Sequence, residues 1–516
     1  MDNNVGLLLA KRAHLNPELE ALIDASSGRR LSFAALNAGC NRTAHALAAR
    51  GVGKGDRVAI LTLNCPEFIE TFFALCKLGA VVVPLNVRLV ARELSYILKD
   101  SGARTLVYGE EFRATVAEIH AGGSDSSHIK DWIQVVEMDG DADSFALDFH
   151  ALQAAESEAE PAIGADEDDM LYIMYTSGTT GLPKGVVHTH NSAIWASFNI
   201  GLTSETRFKD RYLLALPAYH VGALTPLTCN VHLGITSVIM RSFDPRTAWQ
   251  LIEDEAITIM LAVPAMLTFM YQVPDRDTFD HSRLRWIMSG GAPVPVTSIE
   301  AFGAIGIEVH EVYGLTECCG PGCLIAPDDA RDHLGSAGKP FFHADARVVD
   351  GDGIDVAAGE PGEIILRGKH IMKEYWNQPE ATAATIRDGW LHTGDIATMD
   401  ADGFVYIKDR LKDMLISGGE NVYPAEIENA ILGHPKVGEV AVIGQPSARW
   451  GEVPLAVVVA SDETATEDEI LAYCIDKLAR FKLPKAVAFI DHIPRNPTGK
   501  VLKQQLRERF PGAAAE

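Results

Sequence analysis

The chain reads as an α/β protein. The expected plan is a large N-terminal domain of α/β sheets with helices, a small β-rich subdomain near that domain's end, and a small α+β C-terminal domain. Three observations carry this. Helix-like and strand-like stretches alternate as far as Val312; short strands broken by Asp-Gly turns run from Ala346 to Tyr406; and a segment of about a hundred residues with its own pattern follows Asp409-Arg410-Leu411-Lys412-Asp413. A length of 516 residues also exceeds what one hydrophobic core serves, so more than one domain is expected.

Helical spacing covers Phe33 to Arg50 and Glu67 to Leu78, and short apolar strands are expected at Arg57 to Leu63 and Ala80 to Pro84. The rhythm resumes with strands at Tyr212 to Leu216, Thr236 to Met240, Thr258 to Leu261 and Trp286 to Met288. Alternation of this kind favours parallel sheets covered by helices. Ala151 to Asp169, rich in Ala, Glu and Asp, reads as an exposed linker. The turns Asp350-Gly351, Asp352-Gly353, Asp388-Gly389 and Asp402-Gly403 mark the β-rich subdomain, about 340–411. The domain boundary falls at Lys412, giving 1–411 and 412–516. Beyond it, Glu439 to Gly444 and Pro454 to Ala460 read as strands and Glu467 to Ala479 as a helix.

Apolar residues at 47% and charged residues at 22% fit a water-soluble globular protein, and no apolar stretch is long enough to span a bilayer. The N-terminus lacks the basic segment and apolar core of a secretion signal, so a cytoplasmic location is expected. Eight scattered cysteines form no paired ligand spacing and read as reduced thiols. A net charge of −25 disfavours nucleic acid as a partner, so anionic ligands must be held locally. The last forty or so residues are basic by comparison, from Lys477 through Lys482, Arg495, Lys503 and Arg507 to Arg509; this reads either as a solvated face or as a patch meeting an anion.

The most informative stretch runs from Tyr175 to His190, Tyr-Thr-Ser-Gly-Thr-Thr-Gly-Leu-Pro-Lys-Gly-Val-Val-His-Thr-His, after the apolar Met170 to Met174. Gly178, Gly181 and Gly185 let backbone N–H groups turn toward a ligand, Ser177, Thr179 and Thr180 add donors, and Lys184 adds a cation, all suited to phosphate oxygens. It is not a Walker A loop, because Gly185 rather than Ser or Thr follows the lysine. Four further segments follow in order: Ser289-Gly290-Gly291-Ala292-Pro293, Tyr313-Gly314-Leu315-Thr316-Glu317, Leu391-His392-Thr393-Gly394-Asp395, and Pro494-Arg495-Asn496-Pro497-Thr498-Gly499-Lys500. Each alone is a common turn. Their order and spacing together are not.

These five motifs resemble the signatures of the adenylate-forming superfamily, in its acyl-CoA synthetase branch of bacterial fatty-acyl and aryl-acid CoA ligases, over nearly the whole chain. The resemblance implies ATP, Mg²⁺ and coenzyme A. It places Thr176, Ser177, Gly178, Thr179, Thr180, Gly181 and Lys184 on the phosphates, and Gly290, Gly291, Ala292 and Pro293 beside adenine. Glu311, Val312, Tyr313, Gly314 and Thr316 belong to the same nucleotide site, with the tyrosine ring on adenine and the threonine on the α-phosphate. Glu317, with Thr176, would hold Mg²⁺; Asp395 and Arg410 would meet the ribose, near Ile407. Lys500 would be the catalytic lysine, presented on a turn stiffened by two prolines.

The resemblance also implies a two-step reaction with a mobile C-terminal domain. A carboxylate first attacks the α-phosphorus of ATP; rotation about Lys412 then withdraws Lys500 and brings Ser417, Gly418, Gly419 and Glu420 in for thiol attack. No Gly-x-Ser-x-Gly nucleophile elbow is present, as expected when the adenylate is itself the activated acyl group. His220, in Leu216-Pro217-Ala218-Tyr219-His220-Val221-Gly222-Ala223, borders or gates the acyl pocket or is a satisfied core residue. That run holds no acid to pair with a substrate ammonium, which weighs against amino acids. The preferred substrate is a medium- or long-chain fatty acid, the alternative a phenylpropanoid or other aryl acid such as ferulate or coumarate. A peptide-synthetase adenylation module would need a separate carrier domain, a luciferase-like oxygenase shares every motif, and a non-catalytic nucleotide-binding scaffold is disfavoured by intact Lys500, Glu317 and Asp395. The resemblance leaves room for a homodimer.

Overall fold

The computed structural model describes residues 4–122, 126, 128–136, 140–176, 183–292, 294–326, 329–330, 332–410, 413–417, 420–447, 450–475, 477–478, 480–495 and 501–512. Two large mixed sheets form its greater part. One has eight strands in the order Glu374–Tyr375, Lys184–Thr189, Met170–Thr176, Val81–Pro84, Arg57–Leu61, Thr105–Gly109, Asp131–Val135, Leu147–Asp148. The other has nine, with Glu308–Tyr313, Trp286–Gly290, Ile259–Ala262, Arg211–Leu214, Thr236–Ile239 and Glu20–Asp24 parallel to one another at its centre. The parallel expectation holds for these interiors. Antiparallel strands close both sheets: the Met170–Thr176/Lys184–Thr189 hairpin on the first, Cys323–Leu324 and Lys339–Pro340 on the second.

The expected helices occur at Phe33–Ala49 and Pro66–Leu78. The latter is buried along all 13 residues, as a helix lying between two sheets must be, with Glu67, Glu70, Thr71 and Lys77 buried among its apolar side chains. Proline at its first position and Gly79, at φ 71°, fix its ends. It anchors a core shared by Val58 and Val82 of one sheet and Leu214, Ile239 and Trp286 of the other.

A third sheet of five strands, between Asp345–Val349 and Val405–Arg410, is the expected β-rich subdomain. A fourth lies wholly in the last hundred or so residues. Its centre is the long antiparallel pair Val437–Ser447 and Gly451–Ala460, and helices Pro424–Leu432 and Glu467–Ile475 share a core that includes Leu415, Val442 and Val458. The second helix stops short of the expected Ala479, which lies outside the described residues. Two ion pairs and a cap tie this unit together beside the segment that joins it to the rest. Asp409 accepts the Ala425 N–H at the start of helix Pro424–Leu432, Arg507 pairs with Asp413, and Lys503 with Glu428.

The Ala151–Asp169 stretch is mostly exposed, as expected, but it is also tied to the core. Its first residues finish helix Phe149–Gln153, and the wholly buried Lys77 ammonium binds Glu160 at 2.8 Å together with Asn37 and Asn41, because a buried cation must be paired. In the basic tail Lys482, Arg495, Lys503 and Arg507 each pair with a carboxylate, on Glu426, Glu439, Glu428 and Asp413, while Lys477, Arg480, Lys485 and Arg509 are exposed. Among the described residues no helix is long and apolar enough to cross a membrane.

Candidate active site

The segment expected to bind phosphate joins two antiparallel strands, Met170–Thr176 and Lys184–Thr189. Thr176 and Lys184 are register partners that close its two ends, whereas a Walker A loop leads from a strand into a helix. Ser177, Gly178, Thr179, Thr180 and Gly181 lie outside the described residues. The Lys184 ammonium sits 5.0 Å from the centroid of the Tyr375 ring, in cation–π range.

The Tyr375 hydroxyl in turn donates a 2.7 Å hydrogen bond to the Glu317 carboxylate. Glu317 sits in the short turn Thr316–Cys318 that follows strand Glu308–Tyr313, and the turn is fixed from two sides. Met372 N–H donates to the Glu317 carbonyl at 2.7 Å, and His188 Nε2 meets the Thr316 carbonyl at 2.8 Å. A carbonyl only accepts, so His188 carries its proton on Nε2. Burial holds its pKa down to about 4, so the ring stays neutral.

The residues expected beside adenine lie at the C-terminal ends of adjacent parallel strands, where open α/β sheets bind ligands. Ser289 pairs with Glu311 and Gly290 with Val312. A Cβ on Gly290 would lie 2.1 Å from the Val312 carbonyl oxygen, so the approach of the two strands requires glycine. Gly314 is equally constrained, with the Gly320 carbonyl 1.5 Å from where its Cβ would be. Burial pushes the Glu311 carboxyl up to about 7, opposed by a hydrogen bond from the Val294 backbone, and among the described residues its Oε2 has no partner. Gly291 and Ala292 follow directly; Pro293 lies outside the described residues.

The Tyr313 hydroxyl donates to Asp395 at 2.7 Å, joining the adenine element to the ribose element. Burial first, and the neighbouring Asp395 second, hold the Tyr313 phenol protonated by raising its pKa well above the usual value. Asp395 is itself placed by Thr393, whose hydroxyl bonds the Ile364 carbonyl at 2.6 Å and accepts the Asp395 N–H at 3.1 Å. Asp395 and Arg410 are register partners across an antiparallel pair, and Ile407 pairs with Ala397 on the same ladder. The fifteen-residue separation seen in the sequence is thus the length of a hairpin. Its closure brings the two residues opposite each other.

His220 begins helix Val221–Leu233. Burial, and less strongly Arg88, press its pKa down to about 4. Its ring lies 4.5 Å from that of Tyr219, and among the described residues neither the His220 Nε2 nor the Tyr219 hydroxyl has a hydrogen-bond partner. The preceding segment is pinned by Asn64, which accepts the Ala218 N–H and donates to the Leu216 and Met240 carbonyls. The result is a wall whose own two groups are neutral, with the Arg88 cation near both.

The structure therefore gathers Thr176, Lys184, Glu317, Tyr313, Asp395 and the Gly290–Val312 strand ends on the N-terminal part of the chain. Ser417 and Glu420 face each other across a hairpin of the C-terminal sheet, where Ser417 is buried. Lys412, Gly418, Gly419 and Lys500 lie outside the described residues; a bridge between Arg495 and Val501 brackets the loop that carries Lys500. Tyr375 and His188 were missed in the sequence. Tyr375 belongs to a strand of only two residues, too short for periodicity to register, and His188 was within the quoted motif but had no visible partner.

Among the described residues no group of three or more His, Cys, Asp or Glu could hold a metal ion. The donors present fit Mg²⁺, which is commonly bound by one or two carboxylates together with substrate phosphates: Glu317 supplies a carboxylate and Thr176 a hydroxyl beside the phosphate loop.

Comparison with known proteins bears on the same residues. A family model described as AMP-binding enzyme matches residues 9–376, and one described as AMP-binding enzyme C-terminal domain matches 426–500. The chain is 46% identical over 507 residues to the long-chain-fatty-acid–CoA ligase FadD13 of Mycobacterium tuberculosis, covering 98% of each chain. It is 40% identical to a feruloyl-CoA synthase of Amycolatopsis sp, covering 99% of each. Its fold superposes on o-succinylbenzoate coenzyme A synthetase from Bacillus subtilis, solved in complex with ATP and magnesium ion, with a TM-score of 0.86 at 34% identity, over 97% of this chain and 99% of that one.

Proposed function

The chain belongs to the AMP-binding enzyme family, in its acyl-CoA synthetase branch, and from that premise we propose that it converts a medium- or long-chain fatty acid to its CoA thioester through an acyl-adenylate. It is an AMP-forming ligase that uses ATP, Mg²⁺ and coenzyme A. The observation that supports this reading is the pair of contact sets Lys184–Tyr375–Glu317 and Tyr313–Asp395, which join residues of the five motifs across the fold.

In the first step a carboxylate oxygen attacks the α-phosphorus, and the bond to the bridging oxygen of pyrophosphate breaks. Both reactants are anions, so fixed positive charge lowers the barrier. Lys184 holds the departing phosphates, and Lys500 meets the carboxylate and α-phosphate. Bound Mg²⁺ would neutralise phosphate charge beside Glu317 and Thr176. Tyr313 and Asp395 hold the nucleoside so that the α-phosphorus is presented in line.

In the second step the CoA sulfur attacks the acyl carbon, AMP leaves with the electron pair of the C–O bond, and the thiol proton passes to solvent. Domain rotation about Lys412 exchanges Lys500 for the Ser417–Glu420 hairpin between steps, with 1–411 and 412–516 as the two moving bodies. The neutral wall at Tyr219 and His220 supports an apolar acyl group over an amino acid, and the higher identity to the fatty-acid ligase supports a fatty over an aryl acid. Eight free, buried cysteines support a reducing cytoplasmic setting, and a homodimer remains part of this reading, measurable by sedimentation.

The test is a panel of fatty and aryl acids assayed for acid-dependent exchange of labelled pyrophosphate into ATP, then for CoA-dependent AMP release. Fatty acids should lead in both. Exchange confined to ferulate-like acids would reassign the substrate, and no exchange with any acid would sink the reading.

A further inference from the structure

Tyr375 touches both charged groups that the proposed reaction places around the ATP phosphates. Its hydroxyl donates to the Glu317 carboxylate at 2.7 Å, and the Lys184 ammonium sits over its ring at 5.0 Å. Its own position is set by the same elements. The two-residue strand Glu374–Tyr375 pairs with Val187 and Val186 on the strand that starts at Lys184, and the flanking backbone is tied on both sides: Met372 N–H to the Glu317 carbonyl, Lys373 N–H to Val187, Trp376 N–H to Gly185. The indole of Trp376 then donates to the Asp100 carbonyl at 2.9 Å, and Tyr375 itself is 8% exposed. A segment from the β-rich subdomain is thus laced between the lysine strand and the glutamate turn, with one rigid side chain bridging them.

We propose that Tyr375 is a positioning residue that couples the phosphate-loop lysine to the metal-binding glutamate. The proposal rests on the functional reading above. A carboxylate that must capture a hard cation arriving with ATP gains from being held in one rotamer, and a phenol O–H does this without bringing a competing charge. The ring face attracts Lys184 without neutralising it, so the ammonium is parked near the phosphates yet free to move onto them. A direct Lys184–Glu317 ion pair would instead commit both groups to each other. The tyrosine between them keeps both available.

The test separates hydroxyl from ring in the full-length protein. Tyr375→Phe keeps the buried ring and the seat for Lys184 but leaves Glu317 without its donor; Tyr375→Leu removes both. Mn²⁺ serves as probe, its binding in the presence of ATP and absence of acid being read by electron paramagnetic resonance. Tyr375→Phe should bind Mn²⁺ roughly tenfold more weakly, from the loss of one hydrogen bond to a charged group, with metal-free ATP affinity unchanged. Tyr375→Leu should weaken metal-free ATP binding as well. Thioester formation from supplied acyl-AMP and CoA should stay within about twofold of wild type in Tyr375→Phe, because that step needs neither the metal nor the phosphate lysine. Unchanged Mn²⁺ affinity in Tyr375→Phe overturns the proposal, as does an equal loss in both half-reactions with a lowered melting temperature, the mark of a merely structural residue. A wild type that exchanges pyrophosphate while Tyr375→Phe behaves identically sinks only this role; a wild type that never exchanges sinks the functional reading beneath it.

Discussion

Replacing Tyr313 by Phe removes one hydroxyl from the proposed nucleotide site. The ring remains to stack on adenine, while the 2.7 Å donor to Asp395 and the hydroxyl's contact with Thr393 are lost. Asp395 is 5% exposed, so water replaces that donor poorly. A hydrogen bond to a charged group contributes about 1.5 to 3 kcal/mol. If the carboxylate must be held to accept from the ribose, that energy is expressed in ATP binding as a roughly 10- to 100-fold rise in KM. Any part not expressed there should appear in unfolding, as a lowered midpoint in urea denaturation. The assay is pyrophosphate exchange against ATP concentration, run beside denaturation, with the CoA KM in the second half-reaction as an internal control that should not move. An ATP KM within twofold of wild type together with an unchanged urea midpoint would refute the reasoning.

The Glu311 carboxyl, pushed up to about 7 by burial, predicts a pH-dependent stability. A raised folded-state pKa stabilises below the unfolded value, near 4.5, and that stability is lost as pH rises through about 7. Glu311→Gln should therefore be more stable than wild type above pH 7, by at most about 3 kcal/mol, and no more stable near pH 4.5; parallel denaturation midpoints across that range would contradict it. His220 is neutral throughout the working range, so His220→Gln should leave the pH–rate profile from 6 to 9 unshifted while changing the KM for the acid and not that for ATP. Lys500→Ala should lower adenylate formation by roughly 10²- to 10³-fold and thioester formation from supplied acyl-AMP far less; equal losses would reject the division of labour. Lys412→Pro should favour one domain orientation and alter the balance of the two half-reactions, which stopped-flow measurement of each step would show.

Much of the fold was legible because its signals are local. The buried helix Pro66–Leu78 announces itself by apolar residues at helical spacing between a proline and a glycine, and Asp-Gly turns mark the β-rich subdomain. The strands Thr236–Ile239 and Trp286–Gly290 fell within a residue or two of their expected bounds. The candidate nucleotide residues stood out because their motifs set particular side chains at particular turns. Expectations that depended on partners distant in sequence fared less well. Lys77 and Glu160 are 83 residues apart, and nothing near either one indicates that together they hold down a stretch that reads as linker. The clustered lysines and arginines of the basic tail left two readings open, because the carboxylates that pair with four of them come from other elements.

The order of residues by itself determined the α/β class and the hydroxyl- and glycine-rich segment before Lys184, since these follow from chemistry that a short segment carries, and through the resemblance it singled out Glu317, Tyr313, Asp395 and Arg410 as candidates. Only the tertiary structure decided that Asp395 stands opposite Arg410, that Tyr313 bonds Asp395 across 82 residues, and that Tyr375 joins Lys184 to Glu317. The physical reason is that hydrogen bonds and cation–π contacts act over a few ångströms in space. Which groups come that close is settled by sheet register and core packing, to which the whole chain contributes.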